Sequence, residues 1–258
     1  MLLRALPSRL LCIRPAPPAR LRARRHYPST LLTSLLCTPH ARCSSSSPEA
    51  STPRLLPIAP PLLSAEQHEL YTSIVDSRIH VVGKEALFDE HGGLRGPWNA
   101  EVASPALGKH LERLATAVRT ENSLEPRLYE VAILVVGVHW RAQFEWFAHE
   151  KIARKAGVAE AALPLIKAAV SAEELVGILK DDEVAVYKLA IELMQTNRVS
   201  DATYVATKRA LGGDDKKMVD LCMTMGCYSA VSKILNMFEV AIPQGEPLPF
   251  PEVLEKEP

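Results

Sequence analysis

The stretch from Leu128 to Val138 constrains the fold more than any other part of the 258-residue chain. It is apolar on all sides except at Tyr129 and Glu130, and a helix with this pattern is buried on every side rather than amphipathic. Its unbroken apolar run, VAILVVGV, has eight residues, far fewer than the ~20 that a bilayer span requires. The sequence therefore predicts a central helix that does not span a membrane and that buries Glu130.

The following helix carries two more ionisable groups on its apolar side. When residues 144–156 are placed at about 100° per residue, Glu145 and His149 fall on a stripe otherwise made of alanine and isoleucine. An ionised carboxylate in such surroundings needs a partner or a shifted pKa, because isolated burial of a charge is strongly unfavourable. Glu130, Glu145 and His149 could be partners for one another, so these three residues form the candidate site.

Two aromatic residues, Phe144 and Phe147, fall instead on the charged side of this helix, beside Lys151 and Arg154. A helix with apolar groups on two sides must bury both of them. The pattern indicates a second packing surface, either under another helix of the same chain or at an oligomer interface.

The rest of the chain also has helical periodicity, and no stretch alternates with a period of two, so no strand is predicted. Serine caps and helix-starting prolines indicate helices from Ser64, from Ser104 to Thr120, and from Ser123 or Glu125. Residues 91–105 read as a Gly-Pro-rich loop. Further helices are predicted at 160–169, 171–179, 183–195, 201–211 and 214–240. The fold class is all-α, with about seven or eight helices.

The first 48 residues contain eight arginines and no lysine or acidic residue, with leucine, proline and serine between them. This composition is typical of a mitochondrial transit peptide, although a disordered basic tail shares it. We predict a leader at 1–48 with localisation to the mitochondrial matrix. A Pro-rich linker at 49–63, the helical domain at 64–243 and a tail at 244–258 would follow.

Charge and cysteine usage exclude some classes of function. Residues 49–258 contain 22 basic and 30 acidic residues, a formal charge of −8, which argues against a nucleic-acid partner. Three cysteines lie in the leader, which leaves Cys222 and Cys227. These two would lie about 140° apart on a helix, which suits neither a disulfide nor a shared metal. We expect no cofactor.

Several other residues are weaker candidates. His149-Glu150 resembles the start of a zincin motif, but Ala153 occupies the position of the second histidine, so zinc hydrolysis is not expected. His139 and Trp140 end the buried helix and could line a pocket or cap the helix. The last long helix carries two residues that could hydrogen-bond a ligand, although core packing and capping are the expected roles: Tyr228 and Asn236.

Two runs of the chain resemble the carboxymuconolactone decarboxylase-like family, within the alkylhydroperoxidase-D-like superfamily. They are residues 96–158 and 181–243, and the likeness rests on Glu130, a Phe-Glu-Trp-x-x-His element ending at His149, and an Ala-x-x-x-Gly element ending at Gly157. The resemblance implies an alkylhydroperoxidase-D-like helical bundle, assembled as trimers or hexamers with active sites near subunit contacts.

The peroxidase branch of this superfamily has a glutamate, then Cys-x-x-Cys, then a histidine after three more residues. Glu130 and His149 match the outer members, whereas Ala142 and Glu145 stand where the two cysteines would be. Without a thiolate at either position, the dithiol route to peroxide reduction lacks both its nucleophile and its resolving partner. The resemblance therefore implies the cysteine-free, decarboxylase-like branch.

Taken together, these features predict a lyase-like enzyme that uses acid-base chemistry on a small organic acid or lactone. His149 would donate or accept the proton, Glu130 would orient it or act as a second acid, and Glu145 would assist. Neighbouring carboxylates would raise the pKa of His149 and burial would lower it. Two alternatives remain open: a peroxidase that uses Cys222 or Cys227, and a non-catalytic helical scaffold in which the polar cluster only sets assembly.

Overall fold

A computed structural model describes residues 54–251. The predicted leader at 1–48, the start of the linker and the end of the tail lie outside the described residues. The described part contains three short 3₁₀ turns and ten α-helices, seven of which have ten residues or more. It contains no strand, only two isolated β-bridges, so the all-α prediction is confirmed. The helices are α1 (Ala65–Val82), α2 (Lys84–Leu87), α3 (Trp98–Ala103), α4 (Pro105–Thr120), α5 (Pro126–Trp140), α6 (Gln143–Ala156), α7 (Leu163–Lys167), α8 (Asp181–Thr196), α9 (Asp201–Ala210) and α10 (Asp215–Met237).

Helix α5 is the central helix, as its apolar sequence predicts. Every residue from Arg127 to Gly137 is buried, and the helix packs against α6, α8 and α10. It ends at Trp140, and the next residue, Arg141, has a left-handed φ of 50°. The backbone N–H groups of Arg141 and Ala142 donate to the carbonyls of Val138 and Gly137, which closes the helix and turns α6 back against α5.

A second, smaller core joins α1, α3 and the loop before α3, and includes Leu70, Ile74, Trp98 and Val102. Helix α4 packs against α1, α3 and α10, so it connects this core to the central one. The predicted loop at 91–105 is wrong in its second half, where α3 forms because Trp98 and Val102, four residues apart, are both buried.

Two predicted helices after α6 are much shorter in the structure. Residues 160–169 form a 3₁₀ turn followed by the five-residue α7. The helix predicted at 171–179 is wrong. Ser171 and Glu174 form the expected capping box, but only a 3₁₀ turn follows. Gly177 then adopts a φ of 82°, a conformation that ends a right-handed helix.

The chain continues to pack past Pro243, where the predicted domain ends. Phe250 is 4% exposed, and its ring meets Trp146 edge to face at 5.8 Å. The Gln143 carboxamide donates to the Phe250 carbonyl at 2.7 Å and accepts from the Phe250 N–H at 2.9 Å. This C-terminal segment is therefore fixed to the first turn of α6.

Helix α10 is long and apolar enough to cross a membrane by length and composition alone. Only 44% of its most apolar window is buried within the domain, but the helix packs against α4, α5 and α6. The absence of a membrane span stays a prediction.

Candidate active site

The structure brings together the three ionisable residues singled out in the sequence. Glu130 comes from α5, and Glu145 and His149 lie one turn apart on α6. His149 Nδ1 lies 2.8 Å from Glu130 Oε2, and His149 Nε2 lies 3.5 Å from Glu145 Oε1. The imidazole is therefore held between two carboxylates.

The close approach of α5 and α6 explains why these groups meet. A Cβ atom on Gly137 would lie 3.6 Å from Glu145 Cγ, so the small residue places the glutamate directly against α5. The three side chains are almost inaccessible to water, with relative exposures of 1% for Glu130, 3% for Glu145 and 6% for His149. Charges act strongly on one another in such a place, because little water screens them.

The carboxylates outweigh burial at His149. Burial lowers the pKa of the imidazole, but the charges of Glu130 and Glu145 raise it by more than burial lowers it, so the pKa is about 9. Burial raises the pKa of Glu145 to about 7, with His149 lowering it and Glu130 raising it. At neutral pH His149 therefore carries two N–H donors, and Glu145 exchanges a proton easily.

Two carboxylate oxygens of the site have no hydrogen-bond partner within residues 54–251. They are Glu130 Oε1 and Glu145 Oε1, and both are buried. A buried polar atom without a partner is unfavourable by roughly 1–3 kcal/mol, and such atoms call for a functional explanation in a native protein.

Tyr228 of α10, one of the weaker candidates named from the sequence, forms a wall of the site. Its ring meets the His149 imidazole edge to face, with centroids 4.8 Å apart and an interplanar angle of 82°. Burial and then Glu145 raise the pKa of the phenol well above its usual value, so it stays protonated. The sequence named Tyr228 as a possible ligand contact or a core residue, but it could not place the ring beside His149, since nothing local links it to a helix almost 80 positions earlier.

Three other residues named as weaker candidates in the sequence, Asn236, His139 and Trp140, have contacts of their own. Asn236 donates to the carbonyl of Trp140 at 2.6 Å and so caps α5, the role expected from its sequence. His139 and Trp140 line a surface cavity of about 530 Å³, together with Lys233 and Ser229.

The remaining cysteines differ in environment. Cys222 is exposed and Cys227 is buried, and both are free. Burial and then Glu145 raise the pKa of the Cys227 thiol to about 12, which disfavours the reactive thiolate. The two positions that the family resemblance pairs with the cysteines of the peroxidase branch are the N-cap of α6, Ala142, and its first turn, Glu145.

Solved structures of peroxidase-related proteins have the same fold. The alkylhydroperoxidase AhpD core, an uncharacterized peroxidase-related protein from Ralstonia eutropha JMP134, is 12% identical, with a TM-score of 0.58 over 74% of this chain and 93% of that one. This chain has the alkylhydroperoxidase-D-like fold. An uncharacterized peroxidase-related protein from Silicibacter sp. TM1040 is 10% identical, with a TM-score of 0.54 over 78% of this chain and 95% of that one. No family model and no curated protein matches the sequence. The predicted fold is thus confirmed, whereas the cysteine-free branch stays a prediction.

The titration of the site predicts how stability depends on pH. The folded pKa of His149 lies above its unfolded value, so its contribution is complete below about pH 6.5 and is lost as the pH rises to about 9. The raised pKa of Glu145 acts in the same direction, between about pH 4.5 and 7. We expect the free energy of unfolding to fall by about 2–4 kcal/mol between pH 5.5 and pH 9, measured by urea denaturation.

Two histidine variants test whether this fall comes from the site. His149→Gln should make the fall smaller without abolishing it, because the raised pKa values of Glu145 and of the buried Glu101 still contribute, whereas His91→Gln, at an exposed histidine, should leave it as in the wild type. An equally steep profile in His149→Gln would show that other groups cause the fall.

Proposed function

We propose that this protein is a lyase-like enzyme that acts by acid-base chemistry on a small organic acid or lactone. The observation that carries the proposal is the His149 imidazole held in a dry site between two carboxylates, at 2.8 and 3.5 Å. The pKa of Glu145 is about 7. A group with a pKa near 7 can both accept and return a proton at neutral pH.

Each residue of the site has a separate role in this proposal. Glu130 accepts the Nδ1–H of His149 and so fixes the orientation of the ring. The opposite N–H of the imidazolium faces Glu145 and can stabilise negative charge on a substrate oxygen. In a decarboxylation, the carbon-carbon bond breaks, carbon dioxide leaves, and the electron pair enters the enolate of the neighbouring carbonyl. Protonated Glu145 or His149 then delivers the proton to carbon, and no oxidant or reductant is required.

Peroxide reduction has less support, although the relatives with this fold are called peroxidase-related. By the family resemblance, Ala142 and Glu145 stand where the peroxidase branch of the superfamily carries its two cysteines. A route through Cys227 would need a thiolate, and its thiol pKa is about 12. Peroxidase activity that is present in the wild type and lost in the Cys222→Ser, Cys227→Ser double variant would reverse this preference.

The low exposure of all three residues also favours a second candidate, a non-catalytic scaffold. Buried polar networks can fix helix register without any chemistry. In that case removing His149 would lower stability and leave ligand binding unchanged.

We further propose that the protein lies in the mitochondrial matrix and assembles as trimers or hexamers. Its partner in the reaction is a small-molecule substrate. Phe144 packs within its own chain, with its ring tip 2.9 Å from the position of a Cβ on Gly96. Phe147 is only partly buried, with Lys151 Nζ 3.8 Å from its ring centre, and so could contribute to a subunit contact. Sedimentation of the mature chain would measure the number of subunits.

Turnover of a panel of lactone acids by the wild type and His149→Ala tests the proposed function. General acid-base catalysis contributes about 10²–10⁴-fold to rate, and we expect a loss of that size. His139→Ala, which removes an exposed histidine at the end of α5, should retain the wild-type rate. Equal rates in wild type and His149→Ala would remove His149 from the mechanism.

A further inference from the structure

A surface cavity of about 530 Å³ lies where α5 and α8 end, and α10 forms its third wall. This volume is in the range of small-molecule sites, roughly 300–1,000 Å³. The lining includes Trp140, the last residue of α5, the last turn of α8, and Ser229 and Lys233 of α10. None of the three residues of the candidate active site lines it, so the cavity is separate from that site.

One part of the cavity lining is apolar and well fixed. Leu193 and Met194 of α8 are half-buried and pack against the central core, as does the Trp140 ring. The same ring meets the His139 imidazole edge to face, with centroids 5.0 Å apart and an interplanar angle of 87°. These side chains offer an apolar surface against which the hydrocarbon body of a ligand can pack.

The polar part of the lining contains hydrogen-bond donors and no acid. It consists of the Lys233 ammonium, the Ser229 hydroxyl and the amides of Gln195 and Asn197, and no aspartate or glutamate of residues 54–251 lines the cavity. Burial lowers the pKa of His139, so this imidazole is neutral at pH 7. The described lining therefore carries one positive charge, that of Lys233.

The charge of Lys233 has no carboxylate partner in the described part of the chain, and its Nζ lies 4.8 Å from the centre of the Trp140 ring. Lys151 is the matched case elsewhere, because its Nζ also lies over an aromatic ring, that of Phe147, at 3.8 Å. There Glu246, 3.5 Å from the ammonium, balances the charge. Exposed lysines without a partner are common, but this one lies on the wall of an acid-free cavity, where an anionic ligand can reach it.

The two helix ends limit how much negative charge the cavity accepts. The C-terminus of a helix carries part of a negative charge, and both α5 and α8 end here. Some of their last carbonyls already have donors, since Asn236 donates to Trp140 at 2.6 Å and the Asn197 N–H donates to Leu193 at 2.9 Å. One lysine and two helix C-termini suit a ligand with a single negative charge better than one with two.

We propose that this cavity binds a small organic carboxylate, with the anionic group beside Lys233 and the hydrocarbon body against Trp140 and the last turn of α8. The carboxylate balances the lysine charge and accepts a hydrogen bond from the Ser229 hydroxyl. Phosphate fits less well, because it carries nearly two negative charges at pH 7. The site does not depend on the proposed function, since it shares no residue with the Glu130, Glu145 and His149 set.

Benzoate and benzamide form a matched pair of probes that differ only in the charged group. In NMR spectra of the ¹⁵N-labelled full chain, the three tryptophans give three indole N–H signals, and Trp140→Phe identifies the one from Trp140. Its Nε1 has no acceptor among the described residues, so a new contact should change the signal. We expect benzoate to shift this signal and to bind about three- to tenfold more tightly than benzamide.

Two lysine variants locate the charge that selects benzoate. Lys233→Met keeps the hydrocarbon stem and should remove the preference for benzoate, whereas Lys151→Met, at the other lysine over an aromatic ring, should retain it. Inorganic phosphate should bind more weakly than benzoate. An unmoved Trp140 signal, equal binding of the two probes, a full preference in Lys233→Met or tighter binding of phosphate would overturn the inference.

His149→Ala keeps this test apart from the proposed function. Because His149 does not line the cavity, the variant should bind benzoate as tightly as the wild type even when its turnover of lactone acids is lost. Loss of benzoate binding in His149→Ala would instead place the probe at the candidate active site and overturn the assignment to this cavity.

Discussion

Replacing Arg78 by methionine is expected to lower the free energy of unfolding by about 3–5 kcal/mol. The substitution removes the only charged partner that the described structure gives to Glu112, a carboxylate that is 4% exposed. The hydroxyls of Ser77 and Thr116 remain, but they do not compensate for a buried charge. Urea denaturation of wild type and variant at pH 7 measures the loss.

The double variant Arg78→Met, Glu112→Gln separates the charge from the packing. A neutral pair of similar volume should recover most of the lost stability, because no isolated charge remains. Lys208→Met offers a surface comparison, since the Lys208-Asp215 pair is largely exposed and such pairs contribute little. A loss below about 1 kcal/mol in the single Arg78 variant would show that Glu112 is not held as a buried ion.

Gly108→Ala is expected to destabilise the protein by about 3 kcal/mol, although alanine normally stabilises a helix interior by about 1 kcal/mol relative to glycine. A Cβ at position 108 would lie 2.1 Å from the Glu101 carbonyl oxygen and 2.6 Å from its carbonyl carbon. Both are backbone atoms, so α3 and α4 would have to separate. Thermal or urea unfolding would record the effect.

Gly226 supplies the matched control within α10. A Cβ there meets no atom within 4 Å, so Gly226→Ala should raise the free energy of unfolding by about 1 kcal/mol. The two substitutions are chemically identical and should have opposite signs. A stabilising Gly108→Ala would mean that α3 does not press against α4.

The features of the fold and the site that the sequence predicts well are those set by the spacing of residues within one or two neighbouring helices. Glu130, Glu145 and His149 lie on two consecutive helices, so helical periodicity alone places them on facing sides. Helix α5 was recognisable because its apolar residues surround the whole helix. The start of α5 follows from Pro126 and the end of α6 from Gly157.

The buried contacts of Arg78, Glu112 and Glu101 could not be predicted, because these residues lie on three different helices, α1, α4 and α3. Arg78 shares a helical stripe with Leu70 and Ile74, which indicates burial, but nothing local names Glu112 as its partner, and Glu101 lies in a segment that reads as a loop. Their burial follows from the packing of α3 on α4 at Gly108, which is a tertiary contact. The false helix at 171–179 has a different cause, since a correct cap at Ser171 says where a helix starts but not how far it continues.

The left-handed residue Arg141 has a consequence for how such a protein can change its chemistry. Only Arg141 and Ala142 join α5 to α6, so Glu130, Glu145 and His149 all belong to one helical hairpin, residues 126–156. Positions 142 and 145 lie at the start of the second arm, so cysteines in place of Ala142 and Glu145 would put two thiols in the first turn of the helix that carries His149. Under the proposed function, two substitutions in this hairpin would exchange an acid-base group for a pair of thiols and leave the other helices unchanged.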